Sequence, residues 1–285
     1  MLFLIPLGED RRPVATWALI AVNVVVFAWT SRAAVSRATA AEEELERVAA
    51  WTVRLAAAEA PSLAAMARDA PSTLAVLEKD GRWRQEIRSE DVRERLAACV
   101  EDYQRLRASH PYHRFGFVPA EITAARLLTH QFLHADGLHL FFNMLFLWAV
   151  GGVLEAALGV RWLVPAYLAG GAVAALAHAA ANAGSAEPAI GASGAVATLV
   201  GLFAMRFGTE RMRLALVALM FAAPRLIIVV WPAWIFPALW LAEQLLYIAM
   251  GSSLRIAFLA HVGGFAFGAA ASLVIPRPSG PGVET

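Results

Sequence analysis

The stretch Gly191-Ala192-Ser193-Gly194-Ala195 opens an apolar helix that runs to Phe207 and has a serine at its mouth. Further along, Ala260-His261-Val262-Gly263-Gly264 opens a second apolar helix with a histidine at the corresponding end. A serine becomes a useful nucleophile when an adjacent base takes its proton. Ser193 and His261 are therefore a candidate nucleophile and general base.

Small residues recur along one face of each helix. They are Gly194, Ala197 and Gly201 on the first helix and Gly264 and Gly268 on the second. Such stripes let two helix backbones touch, which is common in membrane bundles. The pattern predicts a close pair that brings His261 to Ser193. The alternatives are a glycine-rich pair with an incidental serine, and a soluble hydrolase elbow, which would need a β-strand before the serine.

The composition is that of a polytopic membrane protein. Of the 285 residues, 59% are hydrophobic, more than the roughly half that is usual for a soluble domain. A net charge of +1 indicates no nucleic-acid partner. Cys99 is the single cysteine, so the sequence predicts neither an internal disulfide nor a cysteine metal cluster.

Six apolar segments are the candidate membrane spans, which predicts an all-α, six-helix bundle. They are residues 15–31 and about 139–158, 162–183, 193–207, 232–250 and 256–275. The fourth segment has 15 residues. At about 1.5 Å per residue it is shorter than the roughly 30 Å hydrocarbon layer. We therefore expect Ser193 to lie below the membrane surface, in a water-filled depression.

Residues 33–114 carry most of the charged side chains, so we expect a soluble helical insert between an N-terminal part, 1–32, and a core, 115–275. A disordered tail is expected at 276–285. Two helix faces in the insert are predicted to pack on each other or on the membrane interface. The first face comprises Leu45, Val48, Thr52 and Leu55, and the second Val92, Leu96, Cys99, Val100, Tyr103 and Leu106.

Residues 214–231 are apolar but interrupted by Pro224-Arg225. An extra span here would place His261 on the membrane face opposite Ser193. We therefore expect this segment at the interface, or partly as a fraying extension of the fourth helix.

Arginines in the short loops predict the orientation. The predicted inner segments hold Arg11, Arg12, Arg161, Arg206, Arg211, Arg213, Arg225 and Arg277, and the short outer loops hold Arg255. Positive residues favour the cytoplasmic side. We expect both termini inside, with Ser193 and the insert on the outer side, in a bacterial inner membrane.

Three histidines precede Asn143 in the second span: His130, His134 and His139. A metal site is the competing interpretation, but the sequence has no H-E-x-x-H, and no metal is predicted. His139 and Asn143 share one helix face, and their donors suit a developing oxyanion. Hydrogen bonding between helices is the alternative. No acidic residue is placed as a third member of a triad, which leaves a serine–histidine dyad.

These motifs resemble the rhomboid family of intramembrane serine proteases. The matching patterns are His130-x3-His134-x4-His139-x3-Asn143, Gly152-x2-Glu155-x3-Gly159, Gly191-x-Ser193-Gly194 and Ala260-His261-x2-Gly264-x3-Gly268. The resemblance covers residues 115–275 well, 1–31 less well, and 33–114 not at all. It departs from the family at Ala197, where an aromatic often stacks on the catalytic histidine, and at Ala125-Arg126, where Trp-Arg is common.

The resemblance implies a six-helix protease that cleaves transmembrane segments of other proteins within the lipid bilayer, without a cofactor. Ser193 would be the nucleophile and His261 the base, with Asn143, His139 and the Ser193 N–H as the oxyanion hole. Glu155 would be structural. The alternatives are a non-proteolytic, rhomboid-like binder of membrane proteins and a transporter, for which the sequence has no internal repeat.

The fifth span is expected to be the loosest wall of the bundle. Trp231-Pro-Ala-Trp-Ile-Phe-Pro237 opens it, and proline weakens a helix start. We expect substrates to enter beside it, with the loop 251–256 as a cap. The insert is expected to affect substrate choice more than chemistry.

Overall fold

The structure is a computed structural model that describes residues 2–4, 13–31, 34–70, 72–220, 223–249 and 258–276. It divides into two compact units, Met1–Trp29 with Phe115–Thr285, and Thr30–Arg114. The predicted insert, 33–114, falls inside the second unit. The predicted cap at 251–256 and, apart from Pro276, the predicted tail lie outside the described residues.

Helices make up most of the described chain. In chain order they are α1 Val14–Ser31, α2 Ala34–Leu55, α3 Pro61–Asp69, α4 Thr73–Lys79, α5 Trp83–Glu86, α6 Glu90–Ser109, α7 Pro111–Phe115, α8 Ala124–Thr129, α9 Gly137–Phe146, α10 Gly152–Leu158, α11 Val160–Ala181, α12 Ser193–Phe207, α13 Ile235–Ala249 and α14 Phe258–Ala271. A 3₁₀ turn, His130–Phe132, follows α8. A π-helical turn, Leu147–Gly151, joins α9 to α10 in one continuous helix.

Three described helices are long and apolar enough to cross a membrane: Val14–Ser31, Gly137–Leu158 and Val160–Ala181. Ser193–Phe207 and Phe258–Ala271 are apolar but shorter, and α13 has 15 residues. The length and composition of these helices indicate an integral membrane protein. The count of six spans stays a prediction.

The segment 214–231 forms strands, so its prediction as a helix extension was wrong. Strands β1 Leu2–Leu4, β2 Arg211–Met220 and β3 Ala223–Pro232 form an antiparallel sheet in the order β1-β2-β3. Pro224 cannot continue a helix, and the β-branched run from Ile227 to Val230 favours an extended chain. The all-α class therefore describes the helices and not this sheet.

Helix α12 lies at the centre of its unit, with residues 194–203 all buried. It packs against α11 and α14. A Cβ added at Gly268 would lie 1.9 Å from the Thr198 carbonyl oxygen, and one at Gly201 would lie 2.1 Å from the Phe265 carbonyl oxygen. The predicted backbone contact between the two helices is confirmed.

The α12–α14 pair is parallel. The position of a Gly264 Cβ meets the Gly194 carbonyl oxygen, and four residues further along both helices Gly268 meets Thr198. At the far end, the Arg206 side chain donates to the Pro276 carbonyl oxygen at 2.9 Å. The N-terminal ends of the two helices therefore lie on the same side of the bundle.

Glu155 caps the first span. Its carboxylate accepts the N–H groups of Ala15 and Thr16 at 2.8 and 2.7 Å, and the Thr16 hydroxyl at 2.7 Å. These N–H groups have no partner within α1, and the helix dipole favours a negative charge there. The expected structural role of Glu155 thus has a defined contact.

The unit Thr30–Arg114 has a core of large side chains, in which Trp83, Leu74, Leu77 and Leu96 are almost fully buried. The face predicted for α2 was partly wrong, because Val48 and Leu55 are 39% and 56% exposed. Thr52 is buried as predicted, together with Ala49 and Val53 of the same helix and with Ala56, which directly follows it.

Trp29 and Phe115 flank this unit in the sequence, and both belong to the other unit. Their ring centroids are 5.9 Å apart. The chain therefore leaves and re-enters the membrane unit at neighbouring points.

Candidate active site

The loop that precedes Ser193 is held by backbone hydrogen bonds. Phe117 and Ala189 exchange two of them, at 2.9 and 2.7 Å, and the Ala120 N–H donates to the Ser185 carbonyl oxygen at 2.9 Å. The Gly191 N–H donates to the carbonyl oxygen of His130 at 3.0 Å. The entry to α12 is therefore fixed by the segment that follows α7 and by the 3₁₀ turn.

Gly191 is required by its backbone and by its surroundings. Its φ is +129°, where residues with a side chain are strained. A Cβ there would lie 2.9 Å from Cε1 and Nε2 of His139 and 3.7 Å from the Ser193 Oγ. The imidazole of His139 and the hydroxyl of Ser193 thus both lie next to the space that the missing side chain of Gly191 leaves open.

Ser193 is half-buried and is the first residue of α12. The first N–H groups of a helix have no partner inside it and lie at the positive end of its dipole. The oxyanion of a carbonyl group that the Ser193 Oγ attacks would therefore meet a favourable field.

Asp136 fixes the start of the helix that carries His139 and Asn143. Its carboxylate accepts the N–H groups of Leu138 and His139 at 2.9 and 2.8 Å. The Ala135 N–H points to Nδ1 of His139 at 3.5 Å, a contact that favours the tautomer with its proton on Nε2. The Nε2–H donor is on the side of Gly191 and Ser193.

Asn143 lies one turn below His139 and is buried. Its Nδ2 donates to the His139 carbonyl oxygen at 2.9 Å. A carboxamide nitrogen carries two N–H groups, so this bond uses one of them. Asn143 is thus tied to the backbone of its own helix, a contact that the sequence did not indicate.

Three more histidines belong to the same unit as the candidate site: His130, His134 and His178. His134 and His139 have ring centroids 5.1 Å apart, edge to face. His130 bonds the Arg126 carbonyl oxygen through Nδ1 at 2.8 Å, and burial lowers its pKa to about 4. Asn182 donates to the ring and the carbonyl oxygen of His178, one turn away. No group of three metal-ligating side chains occurs in the part of the chain that is described.

His261 is buried on α14, one turn before Gly264. Ring centroids of Trp240 and Phe258 lie 5.9 and 6.2 Å from that of His261. Sequence reasoning missed Trp240, because the position of a residue within α13 does not show which neighbouring helix its side chain contacts. It also missed Thr198, whose hydroxyl donates to the carbonyl oxygen of Gly264 at 3.0 Å and is 3.2 Å from that of Gly194.

The structure therefore brings Ser193 and His139 together around Gly191, with Asn143 one turn below. It places His261 at the same end of the parallel α12–α14 pair as Ser193. This arrangement can supply a hydroxyl, an imidazole base, and N–H donors at a helix N-terminus, inside an apolar bundle.

The chain was compared with models of protein families. The family model described as Rhomboid domain matches residues 122–278, which is more than half of the chain. The matched range contains all four residues of the candidate site and excludes the unit Thr30–Arg114. A search of curated proteins found no match.

Proposed function

We propose that this chain, which belongs to the rhomboid family, is an intramembrane serine endopeptidase with a Ser193–His261 dyad. The family is usually proteolytic and includes inactive members. The observation that carries the proposal is the parallel contact of α12 with α14, which places the serine and the histidine at the same end of two helices whose backbones touch. Both groups needed for acyl transfer are present there.

In the proposed reaction, His261 takes the proton of the Ser193 hydroxyl as its oxygen attacks the peptide carbonyl carbon. The carbonyl oxygen gains negative charge and is stabilised by the Ser193 N–H, Nε2–H of His139 and the carboxamide of Asn143. The protonated His261 gives its proton to the leaving amine. Water then attacks the acyl-enzyme by the same route and restores Ser193.

The proposed substrates are transmembrane segments of other proteins in the bilayer, since the site lies in an apolar bundle. We propose that both termini are cytoplasmic and that the site faces the outer side of a bacterial inner membrane. Substrates would enter beside α13, and the unit Thr30–Arg114 would contribute to substrate choice.

A serine-reactive fluorophosphonate tests the chemistry. The wild type should be labelled, and Ser193→Ala and His261→Ala should each abolish labelling and the cleavage of single-span proteins, because nucleophile and base act as one unit. Ser185→Ala, in the preceding loop, is the matched control and should label normally. A folded wild type that is neither labelled nor cleaves any of these substrates would favour the alternative, a non-proteolytic membrane-protein binder.

The oxyanion donors are tested by Asn143→Ala, which should lower kcat by about 10² to 10³ with little change in KM. An unchanged kcat would reassign Asn143 to helix packing, in keeping with its bond to the His139 carbonyl oxygen within the same helix.

A further inference from the structure

The imidazole of His261 is flanked by an indole from another helix. The ring centroid of Trp240, on α13, is 5.9 Å from that of His261, with the planes tilted by 42°. The same indole stacks on Phe265, one turn further along α14, at 6.2 Å and 26°. Trp240 therefore covers two successive turns of the α14 face that carries the candidate base.

Helix α12 presents a small side chain to the turn of α14 that follows His261. Ala197 is fully buried, and its Cβ lies 3.3 Å from where a Cβ of Gly264 would be. At this turn α12 therefore meets α14 with a methyl group and not with a ring. Aromatic packing on His261 comes from Trp240, and from Phe258 on its own helix at 6.2 Å.

We propose that Trp240 is a positioning residue that holds the His261 imidazole in the orientation needed to take the proton of Ser193. The inference rests on the proposed function. An aromatic partner restricts the plane of an imidazole ring and so helps to fix its side-chain torsions. Because a misplacement of about 1 Å can cost on the order of a hundredfold in rate, this restriction matters to catalysis.

One consequence concerns α13. This helix packs against α14, and its Trp240 side chain touches the candidate base. The helix expected to be the loosest wall would then also hold the base in place, so a displacement of α13 would remove one of the aromatic contacts of His261.

The test measures inactivation by a fluorophosphonate in wild type, Trp240→Ala, Trp240→Phe and Trp234→Ala. Because the probe is small, its reaction with Ser193 does not depend on the entry of a transmembrane segment beside α13. We expect Trp240→Ala to lower the maximal inactivation rate tenfold to a hundredfold, with the half-saturating probe concentration unchanged. Trp240→Phe should recover most of the rate. Trp234, which precedes α13 and is 53% exposed, is the matched control and should behave like wild type.

Equal rates in wild type and Trp240→Ala would overturn the inference and leave the proposed protease intact. So would a loss of rate that only follows the loss of folded protein in a thermal melt, without recovery in Trp240→Phe. Faster cleavage of transmembrane substrates with unchanged probe labelling would overturn it in favour of a purely steric barrier. An unlabelled wild type would refute the proposed function itself.

Discussion

The unit Thr30–Arg114 and the α12–α14 pair build their interiors in opposite ways. The first buries large side chains such as Trp83 and Leu74. The second brings backbones together at glycines such as Gly201 and Gly268, where there is no room even for a methyl group. Water drives large apolar side chains into a core, whereas lipid does not, so helices in lipid gain most from close contact. The unit Thr30–Arg114 should therefore lose stability when a large side chain is shortened, and the α12–α14 pair when a side chain is added at a glycine.

The largest effect is expected from Gly268→Val. Its Cβ would lie 1.9 Å from the Thr198 carbonyl oxygen, so the helices must separate and the site at their N-terminal ends is lost. Fluorophosphonate labelling of Ser193 and a thermal melt should both collapse. Gly137→Ala is the control, since a Cβ there meets nothing within 4 Å. A Gly268→Val protein with wild-type labelling would refute the comparison.

Trp83→Ala tests the other interior. The indole is 1% exposed and donates to the Leu77 carbonyl oxygen at 2.9 Å, so its loss should cost about 3–5 kcal/mol of the stability of that unit. Limited proteolysis during heating should show earlier cleavage within residues 30–114, while Ser193 labelling at low temperature persists. Met66→Ala, at a position 39% exposed, should change little. Equal loss of labelling and of insert stability would show that the two interiors depend on each other.

Glu155→Ala asks how much a buried charge adds to the helical unit. It removes three hydrogen bonds at the start of α1, and we expect a loss of about 2–4 kcal/mol. The exposed pair Arg82–Asp80 in the insert, at 2.6 Å, should be worth far less. Thermal melts of Glu155→Ala, of Asp80→Asn and of the loop variant Glu187→Ala would rank them. A Glu155→Ala melt equal to that of Glu187→Ala would contradict the capping role.

The smallest effect concerns acid. Burial lowers the pKa of His130 from 6.5 to about 4, so the unfolded chain binds a proton that the folded chain does not. The stability from His130 is therefore complete above pH 6.5 and is lost as the pH falls towards 4, by about 1 kcal/mol at pH 6. Melts of wild type and His130→Gln between pH 7.5 and pH 6 should differ in slope. Identical slopes would show that His130 does not carry this dependence.

The sequence predicted the features that depend on one helix at a time. Spacing of small residues gave the contact face of α12, and the stretch from Gly191 to Ala195 marked the start of that helix. The family model agrees with the motifs from His130 to Gly268. These patterns repeat every three or four residues, so a single helix displays them completely.

Features that depend on a partner distant in sequence were missed. Residues 214–231 carry local signals against a helix, but their strand partners, with β2 pairing with both β1 and β3, lie far apart in the sequence. The buried face of α2 was misplaced by about one residue, because Val48 and Leu55 border the face that meets its neighbours. The neighbours of His261 include Trp240, which no periodicity assigns to α14. Each of these is decided by tertiary packing.

The ring contact of Trp29 with Phe115 means that the 85 residues of the unit Thr30–Arg114 cost the helical unit little loop-closure free energy. Because Trp29 and Phe115 are neighbours, the helical unit already holds the two ends of the segment 30–114 close together. Loop closure then costs only about 0.6 kcal/mol more for each doubling of its length. A few glycines and serines could bridge the same gap. The position between residues 29 and 115 can thus accept a different domain in place of residues 30–114 without a change in the membrane helices.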